Sequence, residues 1–375
     1  MTSVYDLEKY AAGRAIVEWP DGMSIADEEA VISVVAQHVI KANPELYSFA
    51  GKLVRIRRKS THVWIETLTE EDKAALIKNT VYFHKGAAGD YKAVSYARVW
   101  FRYSVMNEVI ERVQKCKGVV SYPIITPTGK IVAGRGYNAE TGMYVDTSYS
   151  VKDLITSEEV SRNDIVNAQS ILRKSYRHKA FYSEADVSRY VAVLLTAVMR
   201  CCYEVVPAMY TNDTSNDSGD ASALFCELDA ILMGRNATSK HLKAERYVGK
   251  HCDAQAVKNG KVIPVLLGWS RNNQTPQWPC TMDKSLLSNM VFSNKEDVIR
   301  LKLLSDFAFY RKNVFKALIT LIRAWQQADR PAPKKTSTYD AQLDQWYEQV
   351  GGVLEYAGYP SICVGVGCYR EQKST

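Results

Sequence analysis

The stretch from Asp186 to Arg235 constrains the fold of this chain of 375 residues more than any other part of its sequence. An apolar pattern of helical period runs from Val187 to Tyr203, and a short apolar run from Val205 to Tyr210 is typical of one buried strand. A loop rich in Asn, Asp, Ser and Thr comes next, and helical spacing returns from Ala221 to Met233. This order predicts an α/β unit. A loop between a strand and a helix is also where nucleotide-binding folds hold phosphate groups.

The residues of this loop lack the chemistry that a phosphate-binding loop requires. Such a loop uses glycines for close backbone approach, a lysine for the β- and γ-phosphates, and a Ser or Thr for Mg²⁺. The corresponding residues here are Ser218, Gly219, Asp220, Ala221 and Ser222. Asp220 stands where the lysine is needed, and Asp213 and Asp217 add carboxylates that would repel a triphosphate. The sequence therefore predicts a nucleotide loop that does not function, with an ordinary solvated surface loop as the alternative.

The composition is that of a soluble globular protein, with 46% apolar and 24% charged residues, and the length predicts two or three domains. The sequence has no apolar run that is long enough to cross a membrane and no apolar signal core near residue 1, so we expect a cytoplasmic protein without a membrane partner. The eight cysteines include no CxxC pair and fit no usual zinc spacing, which predicts reduced thiols and no bound metal.

A net charge of +7 favours an anionic partner, and nucleic acid is the first expectation. The candidate nucleic-acid-binding residues fall in three basic groups: Arg55, Arg57, Arg58 and Lys59 near a strand end, Lys174 and Arg177 on one helix face, and Lys312, Lys316 and Arg323 on a long helix. That long helix is predicted from Asp306 to Asp329, with an apolar face opposite the basic one. For each group the alternative is a solvated charged surface.

Local signals predict alternating helices and strands in the N-terminal third. Thr69 and Asp72 form a capping-box pattern at the start of a helix. A strand is expected from Val81 to His84, and another near Arg98 to Phe101, followed by a helix that Ser104 would cap. This alternation predicts a compact α+β domain.

A segment of strands and turns follows. Pro127 to Gly129 makes a tight turn, so we expect Tyr122–Ile125 and Lys130–Ala133 to pair as a hairpin. A further apolar strand is expected from Val262 to Trp269. No nucleophile elbow, HExxH motif or pair of carboxylates indicates a catalytic site, so no catalytic residue is predicted.

Four stretches together resemble one group of proteins. They are PELYSFAGKLVRI at residues 44–56, GVVSYPIITPTGKIVAGRGYNAETGMYV at residues 118–145, residues 192–234, and ALITLIRAWQQADRP at residues 317–331 with the helix of residues 346–360. In their order along the chain they resemble the helicase-like replication ATPases of phages, prophages and plasmids. The resemblance implies a fold of both α/β and α+β parts: a small N-terminal α+β domain, a degenerate AAA+ type P-loop module and a C-terminal helical subdomain.

The resemblance implies four regions in the chain: an N-terminal α+β domain at 1–117, a connector of a β-hairpin and helices at 118–185, an ATPase-like core at 186–300, and a helical subdomain with a tail at 301–375. Asn272 and Asn273 then occupy the place of the family's γ-phosphate sensor. The chain departs from the family in the missing lysine. It also has no apolar strand ending in paired carboxylates between Gly234 and Val262.

We therefore expect a non-hydrolysing relative of a replication helicase that binds DNA or a replication protein and needs no cofactor. An active helicase- or primase-associated ATPase using ATP and Mg²⁺ is the first alternative. A structural or interaction protein of a phage or mobile element is the second. The AAA+ resemblance also implies an oligomer.

Overall fold

The computed structural model describes residues 13–18, 25–59, 62–85, 92–93, 99–155, 157–176, 184–203, 208–213, 231–232, 266–271, 285–290, 307–334 and 344–362. The chain divides into two compact units, residues 1–118 and residues 119–375. The further divisions at 185/186 and 300/301 stay predictions. No helix in these described ranges is both long enough and apolar enough to cross a lipid bilayer.

The described residues of unit 1 form a mixed α/β structure with two sheets. Its elements in chain order are β1 (Ala15–Glu18), α1 (Ile25–Ala42), β2 (Leu46–Phe49), β3 (Lys52–Lys59), β4 (His62–Thr67), α2 (Glu70–Thr80), β5 (Val81–Lys85), β6 (Lys92–Ala93), α3 (Val99–Arg112) and β7 (Gln114–Lys115). The sheet orders are β4-β3-β2-β7 and β1-β5-β6. Strands β2, β3 and β4 pair antiparallel across short connections, whereas β1 and β5 pair parallel because α1 to α2 lie between them in the chain.

Two predictions in unit 1 are confirmed. The Thr69 hydroxyl accepts a hydrogen bond of 3.1 Å from the Asp72 N–H, and the Asp72 carboxylate accepts one of 2.9 Å from the Thr69 N–H, which is the capping box at the start of α2. The strand predicted at residues 81–84 is β5. Both predictions rest on residues that are close together in the sequence, which is why the folded protein agrees with them.

The strand predicted near Arg98 to Phe101 is wrong. Helix α3 already begins at Val99, and Ser104 lies inside it rather than at its cap. Phe101, Val105 and Val109 recur at a spacing of four residues and are all buried, which is the pattern of a helix face. Phe101 also packs edge-on against Phe83 of β5, with ring centroids 5.8 Å apart. Burial in the core therefore overrides the local strand preference of the Val-Trp-Phe run.

The described residues of unit 2 form more helices than those of unit 1, and three small sheets. Its elements are β8 (Gly118–Val120), β9 (Ile124–Ile125), β10 (Ile131–Val132), β11 (Arg135–Asn138), β12 (Met143–Asp146), α4 (Val151–Leu154), α5 (Arg162–Tyr176), α6 (Glu184–Val198), β13 (Ala208–Asp213), β14 (Leu266–Arg271), β15 (Ser285–Met290), α7 (Phe307–Gln327), α8 (Asp344–Trp346) and α9 (Gly352–Tyr356), with a π turn at Tyr347–Gly351 joining α8 to α9. The predicted hairpin is confirmed, since β9 pairs antiparallel with β10.

Helix α6 is the centre of unit 2. Every residue from Ala185 to Val198 is buried, including polar Thr196. A helix without a solvent face has to be covered on all sides, and here the covering elements include α7, α9 and the π turn, whose apolar residues share one core with those of α6. The buried Arg189 donates a hydrogen bond of 2.6 Å to Asp186 one turn earlier, which pairs the two charges that this helix brings into the core.

Candidate nucleic-acid interface

The predicted nucleotide loop follows the central strand of a parallel sheet. Strand β13 lies between β14 and β15 and is parallel to both, so the two strands that come later in the chain lie on opposite sides of it. Ligands of open parallel sheets bind beyond the carboxyl ends of the strands at such a switch point. At this edge Asp213 of β13 is in register with Arg271 of β14 and Met290 of β15.

The loop itself and the sensor-like residues lie outside the described part of the chain. This holds for Ser218, Gly219, Asp220, Ala221, Ser222, Asn272 and Asn273. The strands that lead into them are displaced by a few residues from those predicted, since β13 begins at Ala208 and β14 at Leu266. Strand β15 was not predicted. By these bounds, the loop follows β13 in the sequence, and Asn272 follows β14 directly.

The basic group on β3 is largely paired with carboxylates. The Arg57 guanidinium donates a hydrogen bond of 2.6 Å to Glu66 on the neighbouring strand β4. Arg55 lies 3.4 Å from the carboxylate of Glu45. Arg58 and Lys59 continue the strand as exposed residues. Arg55 and Arg57 therefore each lie beside a carboxylate, and a phosphate-binding role for this group stays a prediction.

The pKa values in this area agree with charge pairing. The hydrogen bond from Arg57 to Glu66 raises the pKa of the Arg57 guanidinium above its ordinary value. The hydrogen bonds from Thr69 lower the pKa of Asp72, and the positive charges of Arg55 and Arg57 lower it further. Basic and acidic groups thus alternate over this surface, so it presents no purely cationic face.

The basic face of α7 makes contacts within the protein. The apolar face is as predicted, because Val314, Leu318, Leu321 and Trp325 are buried. The opposite face, however, contacts the segment from α4 to α5. Lys312 donates a hydrogen bond of 2.7 Å to Asp153, and Arg323 donates one of 2.7 Å to the Ser157 carbonyl.

Further contacts involve the same basic group. Arg323 also donates to the Glu158 carbonyl. The hydrogen bonds from Ser161 are the main cause of the lowered pKa of Asp164, and the charge of half-buried Lys316 lowers it further. The hydrogen bond from Lys312 is the largest of the causes that hold the pKa of Asp153 well below its usual range. Lys312 and Arg323 therefore contact neighbouring segments of the chain, and a nucleic-acid-binding role for this group stays a prediction.

Helix α5 presents a different surface. Its inner face contributes Ile165, Ala168 and Leu172 to the core shared with α7. Its outer face is exposed and consists of Arg162, Asn163, Val166, Asn167, Ser170, Arg173 and Lys174. Three of these residues are cations and none is a carboxylate, and within the described residues no hydrogen bond or ion pair engages the side chain of Lys174 or Arg173. Arg177 of the same predicted group lies outside the described residues.

The sequence contains a capping pattern that predicts where α5 begins, although this pattern is absent from the predictions above. Ser161 and Asp164 form a reciprocal cap at the start of α5, because the Ser161 N–H donates a hydrogen bond of 2.9 Å to Asp164 and the Asp164 N–H donates one of 3.2 Å to the Ser161 hydroxyl. A Ser-x-x-Asp pattern fixes the first residue of the helix. Helical spacing from Ser161 would have placed Arg162 and Asn163 on the same face as Lys174.

Arg311 is a buried residue that the sequence analysis missed. Its guanidinium donates a hydrogen bond of 2.8 Å to the Leu232 carbonyl and others to Ile231 and Ser121. It also donates one of 3.2 Å to the Tyr149 hydroxyl. Burial lowers its pKa, and among the described residues no carboxylate lies within ion-pair distance of it. Arg311 therefore satisfies its donors with carbonyl groups and fixes residues 231–232 against α7.

Two other possible sites offer no convergent chemistry. A surface cavity of about 660 Å³ in unit 1 has Glu111 and Lys115 in its lining, so its charges are of opposite sign. In unit 2, burial raises the pKa of Cys202 to about 12, so its thiol stays protonated and is a poor nucleophile at neutral pH. In the described residues no group of three His, Cys, Asp or Glu side chains is arranged to hold a metal ion.

No protein-family model matches the chain, and no significantly similar sequence is found among curated proteins.

Proposed function

We propose that the protein is a nucleic-acid-binding relative of the helicase-like replication ATPases of phages, prophages and plasmids, and that it does not hydrolyse nucleotide. The outer face of α5 carries the proposal. Its three cations and its neutral polar groups fit a phosphate backbone, and an intervening carboxylate would weaken that attraction. DNA is the expected polyanion because the family resemblance implies replication.

The second part of the proposal concerns the ATPase-like core. A degenerate AAA+ type module at residues 186–300 is supported by the parallel order β14-β13-β15 and by its switch point at β13. The loop that follows β13 has Asp220 in place of the lysine. A carboxylate there opposes a triphosphate instead of attracting it.

An active ATPase is the second candidate, and the switch point at β13 is the observation that favours it. Calorimetric titration of the full chain with ATP and Mg²⁺ separates the two candidates. We expect no binding at micromolar nucleotide. Binding in that range would replace the proposal with the ATPase.

Binding of fluorescent DNA, measured by anisotropy at a series of salt concentrations, tests the nucleic-acid part. Three phosphate contacts predict that log K falls with log salt with a slope of about −3. We expect R173E/K174E to weaken binding at least about tenfold, since two attractive charges become repulsive. The control K41E/K78E makes the same charge change at exposed lysines of unit 1 and should bind nearly as the unchanged chain does. Absence of binding at low salt would leave a structural or interaction protein as the remaining function.

A further inference from the structure

We infer that helix α5 reads base edges in the major groove of duplex DNA, with Asn163, Val166 and Ser170 facing the bases and with cations on either side holding the phosphates. This inference rests on the proposed function, because it specifies how the protein binds nucleic acid and which kind it prefers.

The arrangement of residues around α5 supports this assignment. With about 100° between successive residues, the outer face spans roughly 140°. Val166, Ser170 and Asn163 occupy its middle. Arg162 and Arg173 lie along one border of the face. Lys174 lies towards the opposite border, beside Asn167. A helix in a groove needs this order, since its midline points at the bases and its two borders pass the sugar-phosphate backbones.

The chemistry of the middle residues suits base edges. Asparagine can pair with the N6 and N7 atoms of adenine, an apolar side chain can contact the methyl group of thymine, and serine accepts or donates to either. Val166 is 52% exposed although it is apolar. An exposed valine on a helix of otherwise polar surface has a use if a thymine methyl group covers it. The composition therefore predicts a preference for sites that contain A·T pairs.

The size and support of the helix also fit. The 15 residues of α5 extend over about 22 Å, and a major groove about 12 Å wide admits a helix. The opposite face of α5 is fixed, because Ile165 and Leu172 are buried in the core with α7. Gln169 adds a hydrogen bond of 2.5 Å to the Ala357 carbonyl. A recognition helix has to be held rigidly from behind, and these contacts do that.

Within α5 itself, negative charge is confined to the first turn. Asp164 is the one carboxylate in the sequence of α5, and its oxygen is occupied by hydrogen bonds of 2.9 Å and 2.6 Å from Ser161. Glu158 and Glu159 are exposed and precede the helix. Phosphate contacts should therefore be strongest at Arg173 and Lys174, near the other end of the helix.

The experiment compares duplex sequences with two double substitutions in the full chain. Duplexes selected from a random library should be enriched in a motif with A·T pairs, and the full chain should bind that motif at least about tenfold more tightly than a scrambled duplex, since each good base contact discriminates strongly. N163A/S170A should reduce this ratio to about twofold without changing the salt slope. R173A/K174A should weaken all sequences equally and reduce the salt slope by about 2.

Each other outcome has a defined meaning. Equal binding of all duplexes, or tighter binding of single strands, would overturn the base-reading role while the DNA-binding function stands. Unchanged discrimination in N163A/S170A would do the same. Failure to bind any DNA at low salt would overturn both. Circular dichroism of the four-alanine combination controls for folding, because all four side chains are exposed and their removal should leave the unit folded.

Discussion

The indole N–H of Trp346 donates a hydrogen bond of 2.9 Å to the hydroxyl of Thr196, and both residues are buried. The Thr196 hydroxyl in turn donates one of 2.6 Å to the Ala192 carbonyl within α6. The bond joins helices that are separated by 150 residues in the sequence. A single polar contact therefore ties the C-terminal helices to the buried helix at the centre of unit 2.

We expect T196V to lower the free energy of unfolding by about 1–3 kcal/mol, because it keeps the volume of the side chain but leaves the Trp346 N–H buried without an acceptor. Urea denaturation followed by tryptophan fluorescence measures the change. T67V is the control, since Thr67 is exposed in β4, and it should change the free energy by no more than about 0.5 kcal/mol. Equal effects of the two substitutions would contradict a role for the hydroxyl.

We expect removal of the hydroxyl group to affect stability differently at Tyr122 and at Tyr203. Both rings are buried. The Tyr122 hydroxyl has no hydrogen-bond partner among the described residues, whereas the Tyr203 hydroxyl donates one of 2.6 Å to the Thr196 carbonyl. We expect Y122F to be neutral or to stabilise unit 2, and Y203F to cost about 1–2 kcal/mol. Chemical denaturation of the two variants side by side tests this, and a larger loss in Y122F would show that its hydroxyl has a partner.

The contact of Lys312 with Asp153 predicts a pH dependence. Because the folded pKa of Asp153 is depressed, the pair stabilises the protein above the unfolded pKa of about 3.9. The stabilisation is lost as pH falls from there through the lower folded pKa. D153N should therefore show a smaller loss of stability below pH 4 than the unchanged chain. K312Q and the double substitution complete a thermodynamic cycle, in which additive effects would argue against a direct interaction.

Arg311 should not tolerate replacement by lysine. Its planar guanidinium reaches the carbonyls of Ser121 and Leu232 and the Tyr149 hydroxyl at once, and an ammonium group cannot reproduce that fork. We expect R311K to cost about 2–4 kcal/mol through unsatisfied carbonyls and a buried charge. R173K, on the exposed face of α5, is the matched control and should be close to neutral in thermal denaturation.

The sequence predicted elements where the determining contacts are close in the chain. The capping box of Thr69 and Asp72 needs residues three apart, and the β9-β10 hairpin needs only its own turn. The contacts of the basic face of α7 were not predicted because its partners are distant: Asp153 lies 159 residues before Lys312. A helical pattern shows which residues share a face, but it cannot show that another segment covers that face. The same reason explains why the burial of Arg311 was not predicted. Phe315, one turn later, is apolar and indicates that Arg311 lies on the buried face of the helix.

Because every residue of α6 from Ala185 to Val198 is buried, this helix is stable only while the elements packed around it are in place. Unit 2 should therefore fold cooperatively rather than helix by helix. A chain truncated before residue 344 would expose the apolar surface of α6 and should aggregate.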